Sequence, residues 1–199
     1  MQRRELNVAN LPNVVFGHRT ILWLATVGLI LIEGTVFAIV IASYFYLRTR
    51  TSDWPPGFMP PHLLWGILIT AVFVLSSVPN HFTKKAAEKG DLKRVQMGLL
   101  VMTAIGIVAL GLRVFEFRAL NASWDGNAYG SLVWTLLGLH TVHLLTDWYD
   151  TVVLTALMFT DRVEGKRFMD TSENADYWWF VVFTWIPIWA VLYFAPSLL

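Results

Sequence analysis

The sequence predicts an all-α polytopic membrane protein with five transmembrane helices, its N-terminus inside and its C-terminus outside. Three observations carry this. Of 199 residues, 56% are hydrophobic and only 15% charged, with a mean hydropathy of +0.54, which is too apolar for an ordinary water-soluble domain. The apolar residues fall into five long runs divided by turn-rich or charged segments. Lysine and arginine alternate between those segments. The N-terminal segment and the second and fourth connections hold three, five and three; the first and third connections and the C-terminal segment hold two, one and none. An excess of eleven over three on alternate segments sets the orientation and requires an odd number of spans. At this length the chain is expected to be a single membrane domain, 1–199.

The first polar stretch contains Arg3, Arg4 and Arg19. The apolar run after it is much longer than a signal-peptide core and lacks a small-residue cleavage site, so it is expected to be retained. Helix 1 is expected over about 21–47. At 1.5 Å per residue it is about 40 Å long, enough to cross with some tilt. Its one interior charge is Glu33, and Gly34, Ala38 and Ala42 form a small-residue ridge that suits a close neighbour. The proline-rich SDWPPGFMPPH that follows Arg48 and Arg50 is a stiff loop. Helix 2 is expected over about 63–78, stopping near Pro79. The segment 81–94 carries Lys84, Lys85, Lys89, Lys93 and Arg94 and reads as a solvated inner turn, with Lys84 and Lys85, like Arg48 on the other side, available to lipid headgroups. Helix 3 is expected over about 95–117, with Gly98, Gly106 and Gly111 favouring close packing. Arg113 and Glu116, three apart, can pair at its outer end. Helix 5 is expected over about 177–194, after a highly charged connection, with Pro187 kinking it.

Helix 4, about 130–158, is the organising element. It is apolar enough to span, yet His140, His143, Asp147 and Asp150 recur at spacings of three, four and three and form one polar stripe. Ionisable groups at membrane depth are costly and persist facing a bundle interior, a partner or water. Counted from the inner surface, Glu33 is ~18 Å up helix 1, and His143 and Asp147 are ~22 Å and ~17 Å up helix 4. An unpaired carboxylate there is untenable. Glu33 is therefore expected to meet His143, or His140 just above, in a buried polar cluster that includes Asp147. Arg113 lies too far from Asp147 in depth and is expected to pair locally.

The same residues exclude several functions. With no cysteine there are no disulfides, Fe–S clusters or thiolate metal sites. His140 and His143 share one side of a helix, so they cannot be the two axial ligands of one haem. Two histidines with nearby carboxylates could hold one metal ion, but His62 and His81 sit near membrane ends, and a hydrogen-bonded polar cluster is the preferred reading. Trp178, Trp179 and Trp185 read as interface and packing aromatics rather than a ligand cage. No nucleophile–base triad, phosphate loop or dinucleotide fingerprint is present. No basic cluster suits nucleic acid, and the spans do not form two inverted halves with broken helices. The chain has no evident chemistry of its own, which suggests a subunit of something larger.

A family resemblance extends this. IEGTVFAIVIASYFYLR with Glu33 and Phe37, GLRVFEF with Glu116, YGSLVWTLLGLHTVHLL with His140 and His143, and ENADYWWFVVFTW with Glu173, Tyr177, Trp178 and Trp185 occur in order. Together they resemble subunit III of the haem–copper oxidases (the cytochrome c oxidase subunit III family), in its short five-helix form, over about 21–194. The family usually has Gln at Arg113, Gly at Thr141 and Asp147, His at Trp179 and Asp at Val182. The resemblance implies a cofactor-free accessory subunit that stabilises the oxygen-reducing subunit I and supports its proton uptake, with haem and copper in partner subunits. It implies a lipid-filled wedge, with a phospholipid cleft expected between helices 1–2 and helices 3–5. The membrane implied is a prokaryotic inner membrane. The alternatives are a partner of a nitric oxide reductase, an assembly factor, or an independent membrane metalloenzyme built on His140 and His143.

Overall fold

The structure is a computed structural model and describes residues 14–16, 19–55, 61–160 and 165–198. A short antiparallel ladder, β1 (Val14–Phe16) and β2 (Arg19–Thr20), precedes the helices, with Val14 opposite Thr20 and Phe16 opposite Arg19. Five long helices follow: α1 (Ile21–Arg48), α2 (Leu63–Glu88), α3 (Leu92–Arg118), α4 (Ala128–Met158) and α5 (Gly165–Trp189). A π-helical turn, Ala190–Phe194, and a single turn, α6 (Ala195–Leu198), complete the described chain. By length and apolarity, Trp23–Arg48, Leu63–Glu88, Leu92–Arg118 and Gly165–Phe194 would each cross a membrane. The fifth long helix, α4, has 31 residues, carries the His and Asp stripe and packs among them.

Hydrogen bonds between helices give the running directions. On α2 and α5, Thr70 Oγ1 accepts from Trp185 Nε1 (2.7 Å), Ser76 Oγ from Trp178 Nε1 (2.9 Å), and Ala175 O accepts from Asn80 Nδ2 (2.9 Å). Rising numbers on α2 meet falling numbers on α5, so the two are antiparallel. The same rule makes α3 and α4 antiparallel, through Gln96 Nε2 to Met158 O (2.7 Å) and Trp148 Nε1 to Thr103 O (3.1 Å). Helices α2, α3, α4 and α5 form a closed ring around a core that includes Phe73, Leu136, Trp178 and Trp185. Helix α1 lies outside this ring against α4 and α5, with Phe37 among His140, His143 and Phe180. Only 6% of its most apolar window is buried in the chain, against 50% for the window in Gly165–Phe194.

Three expectations are corrected here. Helix 2 does not stop near Pro79: α2 runs on to Glu88, so the expected turn over 81–94 shrinks to the residues between Glu88 and Leu92. A proline usually costs a helix an N–H bond and a steric clash. Here contacts from Ser76 before it and Asn80 after it hold both halves of α2 on α5, and a helix remains the cheapest way to satisfy backbone groups in lipid. Gly90, with φ +68°, then ends the helix in the left-handed region, and the Asp91 side chain caps α3 by accepting from Arg94 N (3.2 Å). Helix 5 begins at Gly165 rather than 177. Its charged first turns bury Thr171, Glu173 and Ala175 and lean Phe168 on a second apolar cluster containing Ala86, Val95, Leu154 and Met158. Finally, no cleft separates helices 1–2 from 3–5. α2 is part of the ring, and it is α1 alone that hardly touches α2 or α3.

The small residues divide by use. A Cβ on Gly106 would lie 2.2 Å from Trp148 Cδ1 and one on Gly98 2.1 Å from Thr83 Oγ1, whereas Gly111 has nothing within 4 Å. Of the ridge on α1, a Cβ on Gly34 would lie 3.9 Å from Phe180 Cε2, while Ala38 and Ala42 are exposed. Gly106→Val should therefore push the hydrogen-bonded Trp148 off α3 and cost about 1–3 kcal/mol, read as a lower midpoint of thermal unfolding in mild detergent. Gly111→Ala should leave that midpoint unchanged or raise it.

Candidate functional site: the polar interior

The expected cluster of Glu33, His140, His143 and Asp147 is divided by the structure into three separate environments. The first lies at the centre of the ring. Arg113 of α3 is 1% exposed and donates from Nη1 to Glu116 Oε2 at 2.5 Å, one turn along the same helix. Its Nη2 donates to His140 Nδ1 of α4 at 2.9 Å, and its Cζ stands 4.4 Å from the centre of the Trp185 ring of α5. The other oxygen of Glu116, Oε1, accepts from Tyr193 Oη at 2.7 Å. Tyr193 lies in the π-helical turn, two turns after Pro187, so the irregularity presents this hydroxyl to the carboxylate. A guanidinium only donates, so His140 Nδ1 must accept. Nε2 then carries the proton and donates to Val181 O at 2.9 Å. The imidazole is thereby held neutral, in one tautomer, between α3 and α5. The Arg113–Glu116 pair expected at an outer helix end is thus buried, and it enlists a histidine assigned to another cluster.

The second environment joins α1 to the ring. His143 Nε2 lies 3.3 Å from Glu33 Oε1, and Tyr177 Oη donates to Glu33 Oε2 at 2.8 Å. His143 Nδ1 donates to Leu139 O. The imidazole edge and the Tyr177 hydroxyl thus converge on one carboxyl, which gives this polar group partners between α1 and the ring. His140 is not a partner of Glu33.

Asp147 is the third. It is 1% exposed, and neither carboxyl oxygen hydrogen-bonds to any described residue. Arg113 does not pair with it; its partners are those above. Of the residues expected at lipid headgroups, Arg48 Nη1 donates to Ala195 O at 2.7 Å, tying α1 to the C-terminal turn, and Lys84 is paired with Asp176 of α5. Lys85 is exposed. Among the described residues no three His, Asp or Glu side chains converge where a metal could sit. Tyr177 and Tyr193 were not assigned to the site from residue pattern. Each is an ordinary membrane aromatic in sequence, and only its partner, 144 or 77 residues away, gives it a role.

Long apolar helices, with many of their buried polar groups bonded across helix boundaries, define an integral membrane protein with a polar interior that joins helices. No protein-family model matches the chain. Among curated proteins, it is 30% identical over 200 residues to the probable cytochrome c oxidase subunit 3 of Nocardia farcinica, covering 96% of this chain and 93% of that one. The corresponding protein of Mycobacterium tuberculosis is 29% identical over 195 residues, covering 93% and 90%. Cytochrome c oxidase subunit 3 of Synechocystis is 25% identical over 198 residues, covering 95% and 83%. The chain belongs to the cytochrome c oxidase subunit 3 family, the third subunits of the haem–copper oxidases.

Two measurements probe this interior. Arg113→Leu or Glu116→Leu alone should cost about 3–5 kcal/mol by leaving a buried charge uncompensated, and the double variant should recover a large part, read by thermal unfolding. Glu33→Gln should keep α1 docked, because an amide still bonds Tyr177 and His143. Glu33→Leu leaves both unpaired, should cost about 1–3 kcal/mol, and should speed proteolysis of α1.

Proposed function

We propose that this chain is the cofactor-free accessory subunit of a respiratory haem–copper terminal oxidase. It sits in a prokaryotic inner membrane, N-terminus inside, beside the oxygen-reducing subunit I, with phospholipid around it. Haem and copper belong to its partner subunits. Its own part is to stabilise subunit I and sustain proton uptake while oxygen is reduced. The observation that carries this is the end-to-end likeness to cytochrome c oxidase subunit 3 proteins. The interior supports the same reading. Both ring nitrogens of His140 and of His143 have partners within the chain, as expected of groups that hold helices together. The orientation is supported by the lysines and arginines of the α2–α3 connection and of the start of α5, which lie at one end of the ring.

The test is purification of the tagged chain from its own membranes in mild detergent, with an absorption spectrum and metal analysis of the same sample. The expected result is a co-purifying subunit with haem bands. After that partner is dissociated, this chain should retain no stoichiometric metal. A chain that purifies alone and keeps a metal that is lost on His143→Ala would instead be an independent metalloprotein.

A further inference from the structure

The buried residues of α1, Phe37 and Tyr44, lie in its second half, and before Glu33 no described residue of this helix is buried. There a groove of about 490 Å³ opens between α1, α4 and α5. From Thr146 to Leu157 on α4 it extends about 16 Å. Asp150 stands in its wall, exposed, and about 12 Å along α4 from the end of that helix at Met158. It has no ion pair with any described residue. Arg167 is the one base among the described lining residues, and it is taken by Asp170 at 3.5 Å. Glu33, at the deep end, is taken by Tyr177 and His143. Asp147, one turn from Asp150, is another acid. Beside Asp150, an apolar stripe of Val142, Leu145, Tyr149 and Val153 is exposed along α4. That side of α4 is open because α1 hardly touches α3.

We infer that a membrane-spanning helix of a partner chain lies along this stripe and inserts one lysine or arginine into the groove, onto Asp150. Charge, depth and size each select this occupant. An acid at membrane depth persists facing a bundle interior, a partner or water, and this bundle supplies no cation. Acyl chains suit the stripe but would leave the carboxylate against hydrocarbon. An amine headgroup would have to leave the interface and sink about 12 Å to reach it. Spread over its length, the groove has a cross-section of about 30 Å², well under that of a helix 10 Å across, so it takes a side chain and leaves the backbone outside. The apolar stem of a lysine or arginine packs on Leu29 and Leu157 while its head reaches Asp150. Asn174 donates from Nδ2 to Thr151 Oγ1 at 2.9 Å, which leaves its carbonyl oxygen to accept from the same cation. The inference rests on the membrane placement proposed above and does not depend on which complex the partner belongs to.

The experiment uses the complex purified from native membranes in mild detergent, diluted and followed by native mass spectrometry. Asp150→Asn keeps the shape of the side chain and removes its charge. It should release one membrane-spanning subunit roughly 30-fold faster, because truncating one member of a desolvated charge pair acts mainly on dissociation. Asp150→Glu should hold that subunit nearly as well as the native residue. Asp150→Lys should lose it, and exchanging the partner's lysine or arginine for aspartate should restore it to Asp150→Lys. Asp125→Asn, in the α3–α4 connection, should have no effect. An unchanged release rate in Asp150→Asn would mean a merely hydrated groove and would overturn the site. So would loss of bound phosphatidylethanolamine with every subunit retained, an equal effect of Asp125→Asn, or failure of every charge exchange to restore the subunit. The haem spectrum of each sample reports the oxidase assignment separately: a haem-free complex held through Asp150 would remove that assignment and leave this pair standing.

Discussion

The buried Arg113–Glu116 pair is the constraint on which the rest of the ring depends. A guanidinium cannot lose its proton under ordinary conditions, and in hydrocarbon its desolvation is severe. It is tolerable only if nearby groups meet it in fixed geometry. Glu116 supplies the charge, His140 an acceptor, Tyr193 a donor to the carboxylate, and Trp185 a π face. These come from α3, α4, α5 and the π-helical turn, so the charge can be satisfied only when those elements are in place together. The π-helical turn contains Tyr193, whose hydroxyl reaches Glu116.

The attachment of α1 is of another kind. Its contacts with the ring include Phe37 packed among three rings, the fully buried Tyr44 against Tyr129, Glu33 beside His143 and bonded to Tyr177, and Arg48 on a carbonyl near the chain's end. Most of its apolar surface is left to the surroundings. In water such a helix would be unstable. In a bilayer that exposure costs little, and the polar contacts at mid-depth and at the end fix where α1 sits on the α4–α5 seam.

Two buried ionisable residues fall into different circumstances. Arg113 is tied into a network through both terminal nitrogens. Asp147 is buried with no hydrogen-bond partner among the described residues. We have no physical account of why that carboxyl is kept.

The sequence by itself determined the class and the number of long helices. Long apolar runs, alternating basic segments and the histidine–aspartate stripe on helix 4 act locally, through the requirement that lipid-embedded backbone bond to itself and that charges avoid hydrocarbon. The level of Glu33 with His143 was legible for the same reason: helical rise is uniform, so depth can be counted. Which groups meet was decided only by the tertiary structure. His140 and His143 share one helix face by spacing, yet one turns to Arg113 and the other to Glu33, because α4 touches the ring core on one side and α1 on the other. Pro79 and the charges of 165–176 are local signals to stop a helix. They were overridden because Asn80, Ser76 and Phe168 find partners on other helices, and those contacts are visible only once the chain is folded.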